Sequence, residues 1–407
     1  MPPEARRSHA TADPETVEPA RVPGRLADDL IREIGSWIDR DRHEHVVALT
    51  AAWDPPTLSA ARRMIAAHGL APLLARDPAF ATLTPALPEE LRAWIALQEE
   101  RNRTRIDRLH GELAGALRAL SAMGVAAMPL KGSILSTRVG GDRHRRPMAD
   151  LDILVHSDDL DAARGALVGL GYRRQMAANR RPTHDTFLRP GNDEVVSFDG
   201  EHPDNPRPIE LHVEVKRHLW AWVDDDDLTA FLWSGAREGT VLGEPALLPS
   251  DRALLAHLAI HATSDLLGSR GRLVQWLDVA EAAADADGDA SDAWAAMPHP
   301  RLLYPALRLV ARRFAGRFGD RLPDLASHEA LMPESLVRWA AAVPLDTRAG
   351  LQSGRFRPAD MSTRPARWER WAPATWRLAV AYGSLPRPLA FTRHVARVAR
   401  AARQRLR

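Results

Sequence analysis

The run PMADLDILV, residues 147–155, places two aspartates two positions apart at the start of a branched apolar segment. Such a segment, rich in Leu, Ile and Val, is typical of a buried strand. Because side chains alternate along a strand, Asp150 and Asp152 leave the same face. Two carboxylates held this close repel each other, and burial increases the cost. The sequence therefore predicts a strand that begins with two like charges.

A divalent cation is one way to compensate such a pair. Mg²⁺ prefers one or two protein carboxylates together with water and substrate phosphates. Two such ions can stabilise the attacking and leaving oxygens of a phosphoryl displacement. The alternative is a pair of solvated aspartates that cap a turn at the end of the strand. A single Asp-x-Asp motif does not decide between these interpretations.

A second short apolar run, VAAMPL at residues 125–130, comes directly before Lys131, Gly132 and Ser133. It predicts a buried strand, and the following SILSTRV predicts a short helix. The order Lys-Gly excludes a P-loop, which ends in Gly-Lys-Ser/Thr. Glycine at a strand-to-helix turn lets a phosphate approach the backbone, and a helix N-terminus attracts anions. We therefore expect Gly132 and Ser133 to contact a triphosphate.

A third group of polar residues lies in PIELHVEV, residues 208–215. Its alternation predicts a strand, with Glu210, His212 and Glu214 on one face. A carboxylate here can complete a set of metal ligands or accept the proton of an acceptor hydroxyl. This segment therefore supplies candidates for a third acid.

The loop before the aspartate pair is basic and carries Arg143, His144, Arg145 and Arg146. These side chains either contact phosphate oxygens or remain solvated. Arginine clusters are weak evidence for nucleic-acid binding in this chain, because Lys131 and Lys216 are the two lysines among 55 basic residues. That usage indicates a GC-rich genome.

Helical periodicity surrounds the central segment. Apolar residues from Ile106 to Met123 recur every three or four positions, and Gly124 is a stop signal. Helical patterns return after residue 222. We predict a disordered lead over 1–25, an N-terminal helical region over 26–122, a mixed α/β unit over 123–222 and a C-terminal helical region over 223–407.

Targeting signals are not evident in the sequence. No run of about eighteen apolar residues predicts a membrane span, and the amino-terminal residues lack the apolar core of a signal peptide. The chain has 0 cysteines, which fits a cytoplasmic protein. The last basic segment, residues 388–407, predicts an amphipathic helix that either lies on an acidic membrane surface or closes the fold.

One further cluster lies on a predicted helix, where His257, His261 and Asp265 are spaced by four and share a face. Imidazole and carboxylate suit several divalent ions. No glutamate follows the first histidine, so this is not a zinc-protease helix. We favour a packed or hydrogen-bonded helix near the site over a metal site.

Together these motifs resemble the nucleotidyltransferase superfamily typified by DNA polymerase β, and more closely a group of bacterial nucleotidyltransferase family proteins. The group's pattern is LKG, R-x-x-x-DxD and ELH. The chain has LKG at 130–132, Arg146 four positions before Asp150, DLD at 150–152 and ELH at 210–212. The resemblance covers about residues 60–285. It implies an α+β fold, with a small mixed β-sheet nucleotidyltransferase core flanked by N- and C-terminal helical blocks.

The resemblance implies metal ligands and catalytic residues. Asp150 and Asp152 would bind Mg²⁺ or Mn²⁺, and Glu210 would be the third acid. Glu214 is its rival, and His212 is a further possible member of the site.

The resemblance also implies contacts to the nucleotide. Gly132 and Ser133 would lie at its phosphates, and Arg146 is a further candidate. Lys131 either reaches a phosphate or pairs with one of the aspartates in a metal-free site. The gap from Ser133 to the aspartate pair is longer than in the superfamily pattern, so the arginine-rich loop between them is a candidate lid or insertion.

The implied activity is two-metal transfer of a nucleoside monophosphate from an NTP, ATP among the candidates, to an acceptor hydroxyl. A formal net charge of +2 argues against the basic track of a polymerase. We therefore expect a small-molecule or protein/peptide acceptor and no nucleic acid. The alternatives are a non-catalytic nucleotide-binding or scaffold protein on the same fold and a metal-dependent phosphohydrolase.

Overall fold

The structure is a computed structural model. The residues that it describes are 43–138, 141–175, 184–197, 200–219, 223–267, 271–286, 299–322, 325–342, 378 and 385–406. The predicted disordered lead over residues 1–25 lies outside these ranges.

The segment before the sheet is helical. Its helices are α1 (His43–Ala51), α2 (Pro55–His68), α3 (Ala71–Arg76), α4 (Leu83–Ala86) and the long α5 (Glu89–Ala122). The start of α2 is capped by Asp54, whose carboxylate accepts the Thr57 N–H at 2.9 Å, and Gly69 ends the helix at φ 69°. Along α5, Ile106, Leu109 and the leucines after them are fully buried, which confirms the predicted apolar stripe up to Leu120. Its last predicted member, Met123, is exposed, because it lies at the C-cap beyond the end of the helix.

A mixed five-stranded sheet follows, in the order β1-β2-β5-β4-β3. Its strands are β1 (Ala127–Pro129), β2 (Leu151–Val155), β3 (Arg173–Arg174), β4 (His184–Leu188) and β5 (Ile209–His212). Strand β2 is antiparallel to β1 and parallel to β5, and β4 is antiparallel to both β5 and β3. The short helix α6 (Gly132–Leu135) connects β1 towards β2, and α7 (Leu160–Gly169) follows β2. Every residue of β2 is buried, as expected for a central strand.

The predicted alternating strand PIELHVEVKR divides into two. β5 ends at His212, so Glu214 lies beyond it, and β6 (Lys216–Leu219) pairs with β7 (Val223–Asp227) in a separate sheet. The sequence HDTFLRPGNDEVVSFDG, residues 184–200, also predicts two strands joined by a Pro-Gly-Asn turn, but the second strand does not form over residues 193–197. Instead, the Val196 and Ser197 N–H groups donate to Asn205 Oδ1 at 2.9 and 3.0 Å. A side chain thus satisfies these donors in place of a neighbouring strand.

Helices resume after the hairpin of β8 (Arg237–Val241) and β9 (Glu244–Leu248), which follows α8 (Thr229–Ser234). The helices are α9 (Asp251–Leu267), α10 (Leu273–Asp285), α11 (Pro300–Arg313), α12 (Ala315–Phe318), α13 (Ala326–Glu329), α14 (Glu334–Ala342) and α15 (Arg387–Leu406). The first three pack on one another. A small mixed sheet with helices before and after it confirms the α+β prediction.

One hydrophobic core cluster extends from α1 to α14. The domain boundaries at residues 122 and 222 therefore remain predictions. The basic helix α15 lies against β7 and buries Ala390, His394 and Val398 on one face, which favours a helix that closes the fold. Within the described residues, the structure has no helix that is long and apolar enough to cross a membrane.

Candidate functional site

The LKGS turn and the DLD strand are in direct contact. The Leu130 N–H donates to the Asp152 carbonyl at 3.0 Å, which extends the β1–β2 ladder by one bond. The Asp152 N–H donates to Ser133 Oγ at 3.0 Å, and Ser133 is fully buried. In this structure the Ser133 hydroxyl therefore positions Asp152. Its contact with nucleotide phosphates remains a prediction.

Lys131 pairs with Asp152. Its Nζ lies 2.6 Å from Asp152 Oδ1, as in the second of the two alternatives drawn from the sequence. The Lys131 backbone has φ 46° and ψ −123°, a region that residues other than glycine rarely adopt. Such strain costs about 1–3 kcal/mol and persists where surrounding contacts impose it. The turn thus holds the ammonium group against the carboxylate at the cost of local strain.

Strand register brings the third acid to the same place. Asp152 in β2 lies opposite Glu210 in the parallel strand β5. His212, two residues further on, places Nε2 2.9 Å from Asp152 Oδ1 and 3.7 Å from Glu210 Oε2. Two neighbouring strands therefore bring Asp152, Glu210 and His212 together on one face of the sheet.

The two aspartates differ in their electrostatic environment. Burial raises the pKa of Asp150, and the negative charge of Asp152 raises it further. Burial alone would also raise the pKa of Asp152, but the Lys131 charge and the His212 hydrogen bond outweigh it and lower that pKa well below the usual range. Asp152 is thus an ionised and compensated carboxylate, whereas the charge of Asp150 is under-compensated.

His184 is a member of the site that the sequence analysis missed. In the antiparallel pair β4–β5 it lies opposite His212, with ring centroids 4.9 Å apart. Its Nε2 is 3.4 Å from Glu210 Oε1. The HDTFL segment is predicted as a strand from the sequence. Which strand it pairs with depends on the order of the strands in the sheet, and the sequence does not show that order.

His184, Glu210 and His212 form a group with metal-binding geometry, with one ligand atom from each within 4.8 Å of the others. In the described part of the chain this is the single such group found.

A small cleft of about 70 Å³ opens beside this group, and Lys131, Glu214, Lys216 and His257 also line it. Glu214 is exposed and pairs with Lys216 at 2.7 Å. Glu210, in contrast, faces the histidines and lies opposite Asp152. This contrast supports Glu210 over Glu214 as the third acid.

The histidine-bearing helix α9 lies at the edge of the cleft, as we expected. His257 is buried and lines the cleft. His261 Nδ1 lies 3.4 Å from Asp265 Oδ2, and Gln275 donates to the same carboxylate at 2.8 Å. The four-residue spacing thus brings His261 and Asp265 together on a hydrogen-bonded face of the helix.

The arginine-rich loop is held by carboxylates of the surrounding helices. Arg146 donates to both oxygens of Asp278 on α10, at 2.8 to 3.0 Å. Arg145 binds Asp77 at 3.0 Å and Glu281 at 2.7 Å. A Cβ on Gly132 would approach Arg146 Nη1 to 2.8 Å, so this glycine makes room for the guanidinium. The loop is therefore anchored, and nucleotide binding by Arg146 remains a prediction.

Arg105 on α5 also escaped the sequence analysis. The residue is buried and donates to five backbone carbonyls, at distances of 2.8 to 3.3 Å. The acceptors are Met148, Ala149, His202, Asn205 and Pro206. They belong to the loops that lead into β2 and β5, so one guanidinium aligns both acid-bearing strands. In a chain so rich in arginine, no local signal distinguishes this residue.

A family model described as an uncharacterised nucleotidyltransferase matches residues 55–315 of the chain. The chain belongs to this nucleotidyltransferase family. The match includes the LKGS turn, all strands of the five-stranded sheet and α10, and it confirms the resemblance seen in the motifs. No curated protein and no solved structure has a detectable match to the chain.

Proposed function

We propose that the protein transfers a nucleoside monophosphate from an NTP to a hydroxyl of a small-molecule or protein/peptide acceptor, with release of pyrophosphate, and depends on Mg²⁺ or Mn²⁺. The observation that carries the proposal is the register of Asp152 opposite Glu210 in adjacent parallel strands, with Asp150 at the entrance to β2. Family membership supports nucleotidyl transfer in general.

The acidic side chains suit a hard divalent cation. They supply carboxylate oxygens, which Mg²⁺ and Mn²⁺ prefer. Burial and Asp152 raise the pKa of Asp150 although Lys131 and Arg146 act in the opposite direction, so a further positive charge would stabilise the carboxylate pair. Asp150, Asp152 and Glu210 would hold the ion, which when bound would neutralise phosphate charge and polarise the reacting phosphoryl group.

Lys131 has a role in the same proposal. Its ammonium group now contacts Asp152 at 2.6 Å and lines the cleft. If the carboxylate held a cation, the ammonium group on its flexible stem would be able to turn to a phosphate oxygen. Glu210 then either completes the ligand set or accepts the proton of the acceptor hydroxyl.

The test is a transfer assay with α-labelled NTPs, Mg²⁺ and pools of candidate acceptors, with products resolved by mass. Asp150→Asn and Asp152→Asn are expected to abolish label transfer. Asp158→Asn is the control, because this exposed aspartate lies in a turn beyond the other end of β2. Full turnover in Asp150→Asn would show that the metal assignment is wrong.

The same assay separates the alternatives. A phosphohydrolase would release labelled NMP or nucleotide diphosphate without labelling an acceptor. A scaffold protein would bind NTP in calorimetry without turnover. Either result would replace the proposal.

A further inference from the structure

The histidine pair beside Glu210 differs chemically from the aspartate pair. Imidazole nitrogen is a ligand that Zn²⁺, Co²⁺, Ni²⁺ and Fe²⁺ accept well and that Mg²⁺ does not favour. Two histidines and one carboxylate with open positions form a recurrent metal-binding set. We propose that His184, His212 and Glu210 form a binding site for a first-row transition cation of the Zn²⁺ class, which lies beside the Asp150–Asp152 pair and shares Glu210 with the proposed Mg²⁺ site.

The distances between the ligand atoms support this assignment. Metal–nitrogen bonds of about 2.0–2.1 Å place neighbouring ligand atoms roughly 3.0 Å apart in an octahedral site and roughly 3.4 Å apart in a tetrahedral one. His184 Nε2 lies 3.4 Å from Glu210 Oε1, and His212 Nε2 lies 3.7 Å from Glu210 Oε2. Each histidine is therefore close to the required spacing from the Glu210 carboxylate before any cation is bound, and the three ligand atoms lie within 4.8 Å of one another.

The site is built on rigid elements. His184 and His212 face each other across the β4–β5 ladder, and Glu210 occupies the same strand as His212. Side-chain exposures of 28% for His184 and 20% for Glu210, with 10% for His212, leave the group reachable from the cleft but largely desolvated. Strand-borne ligands hold their geometry better than loop-borne ones.

The surrounding charges also allow a cation. Lys131 and Lys216 line the same cleft, but each contacts its own carboxylate, Asp152 at 2.6 Å and Glu214 at 2.7 Å. Their charges are thus locally balanced. The Glu210 carboxylate, between the two histidines, supplies the negative charge of the site.

The site would be coupled to the neighbouring carboxylate. His212 Nε2 contacts Asp152 Oδ1 at 2.9 Å, and one ring nitrogen cannot both bind a metal and keep this hydrogen bond. Binding of a cation to His212 Nε2 would therefore remove the hydrogen bond between His212 and Asp152 Oδ1. This coupling gives the transition cation a way to influence the adjacent site.

The experiment is a titration of the chelator-treated full chain with Zn²⁺ and with Co²⁺, followed by calorimetry and elemental analysis. We expect one tight equivalent per chain, visible absorption bands from bound Co²⁺, and a rise in Tm with the metal alone. His184→Gln is expected to weaken binding by at least about 100-fold, because loss of an outer-shell partner alone costs 10–100-fold. His156→Gln, at an exposed histidine after β2, is the control for surface binding.

Equal Zn²⁺ binding by the wild type and His184→Gln would overturn the proposal, and so would the absence of a tight equivalent in the wild type. If His184→Gln has a lowered metal-free Tm, Glu210→Gln tests the same site with nearly unchanged shape. Zn²⁺ binding and Mg²⁺-dependent transfer are both measured in the wild type and in Asp150→Asn, which we expect to keep Zn²⁺ binding and to lose transfer. In the wild type, Zn²⁺ binding without transfer would refute only the proposed function, and transfer without Zn²⁺ binding would refute only this inference.

Discussion

Two clusters of basic and acidic side chains lie on either side of Gly132, and they are built differently. On the strand side, the Lys131 ammonium group lies 2.6 Å from Asp152, on a strained backbone and beside an open cleft. On the helix side, Arg146 makes a bidentate contact to Asp278 from a loop that Arg145 also anchors. A lysine ammonium group on a flexible stem can exchange its partner, whereas a forked guanidinium fixes geometry. The comparison indicates an exchangeable contact at the site and a permanent one behind it.

Loss of the permanent contact is expected to have the largest effect on stability. Asp278→Ala leaves the Arg146 guanidinium without its carboxylate, and breaking a buried pair costs about 3–5 kcal/mol in the free energy of unfolding. Both side chains are mostly buried, at 21% and 6% exposure. Chemical denaturation measures the change, with Asp161→Ala as control, because Asp161 pairs with Arg164 but is 94% exposed. Equal stabilities of the two variants would show that the Arg146 contact is dispensable.

The stability of the helix side should also depend on pH, because His68 links α2 to α10. Its Nδ1 accepts the Leu273 N–H at 3.2 Å. Burial, with the Arg272 charge, lowers the pKa of His68 to about 3 from 6.5. The unfolded chain therefore binds a proton that the folded chain excludes, so stability falls as pH drops from 6.5 towards 3.

The slope from this one group reaches about 1.4 kcal/mol per pH unit, or roughly 2 kcal/mol by pH 5. His68→Asn keeps an acceptor and cannot titrate, so we expect it to flatten the pH dependence of unfolding between pH 7 and 5. An unchanged slope in this variant would assign the pH dependence to other groups.

On the strand side, the backbone strain at Lys131 can be measured with a pair of variants. Lys131→Gly and Lys131→Ala both remove the ammonium group, but only glycine adopts φ 46° at little cost. We expect the glycine variant to be more stable by about 1–2 kcal/mol in chelator-containing buffer.

Gly165 on α7 provides the matched control, because a Cβ there meets no atom within 4 Å. At this ordinary helical position, Gly165→Ala should stabilise the protein, the opposite order. If alanine is also preferred at position 131, the turn is not strained.

The smallest expected effect is on Mg²⁺ affinity, because Lys131 and the cation would compete for Asp152. Because Lys131 occupies an oxygen that Mg²⁺ would use, Lys131→Ala should raise Mg²⁺ affinity about fivefold in calorimetry, equivalent to roughly 1 kcal/mol. Arg145→Ala, which removes a basic residue of the anchored loop, should leave the affinity nearly unchanged. A loss of Mg²⁺ affinity in Lys131→Ala would contradict the exchange.

Local sequence patterns were sufficient to predict whether most elements are helices or strands. The apolar stripe of α5, the branched strand β2 and the alternation of Glu210 and His212 depend on neighbours a few positions away, so periodicity identified them. The Asn205 side chain, in contrast, replaced a predicted strand at Val196 and Ser197. A periodic pattern does not reveal that a side chain will compete with a neighbouring strand for backbone N–H groups.

The sequence by itself determined that a strand starts within the Asp150–Asp152 motif, that a Lys-Gly-Ser turn precedes it and that an ELH strand follows. These motifs depend on short-range spacing. Only the tertiary structure decided that Asp152 faces Glu210, that His184 faces His212, and that Arg146 binds Asp278, which is 132 residues away. The reason is physical: sheet order and helix packing are set by burial of the common core, and they bring together side chains that no local pattern connects.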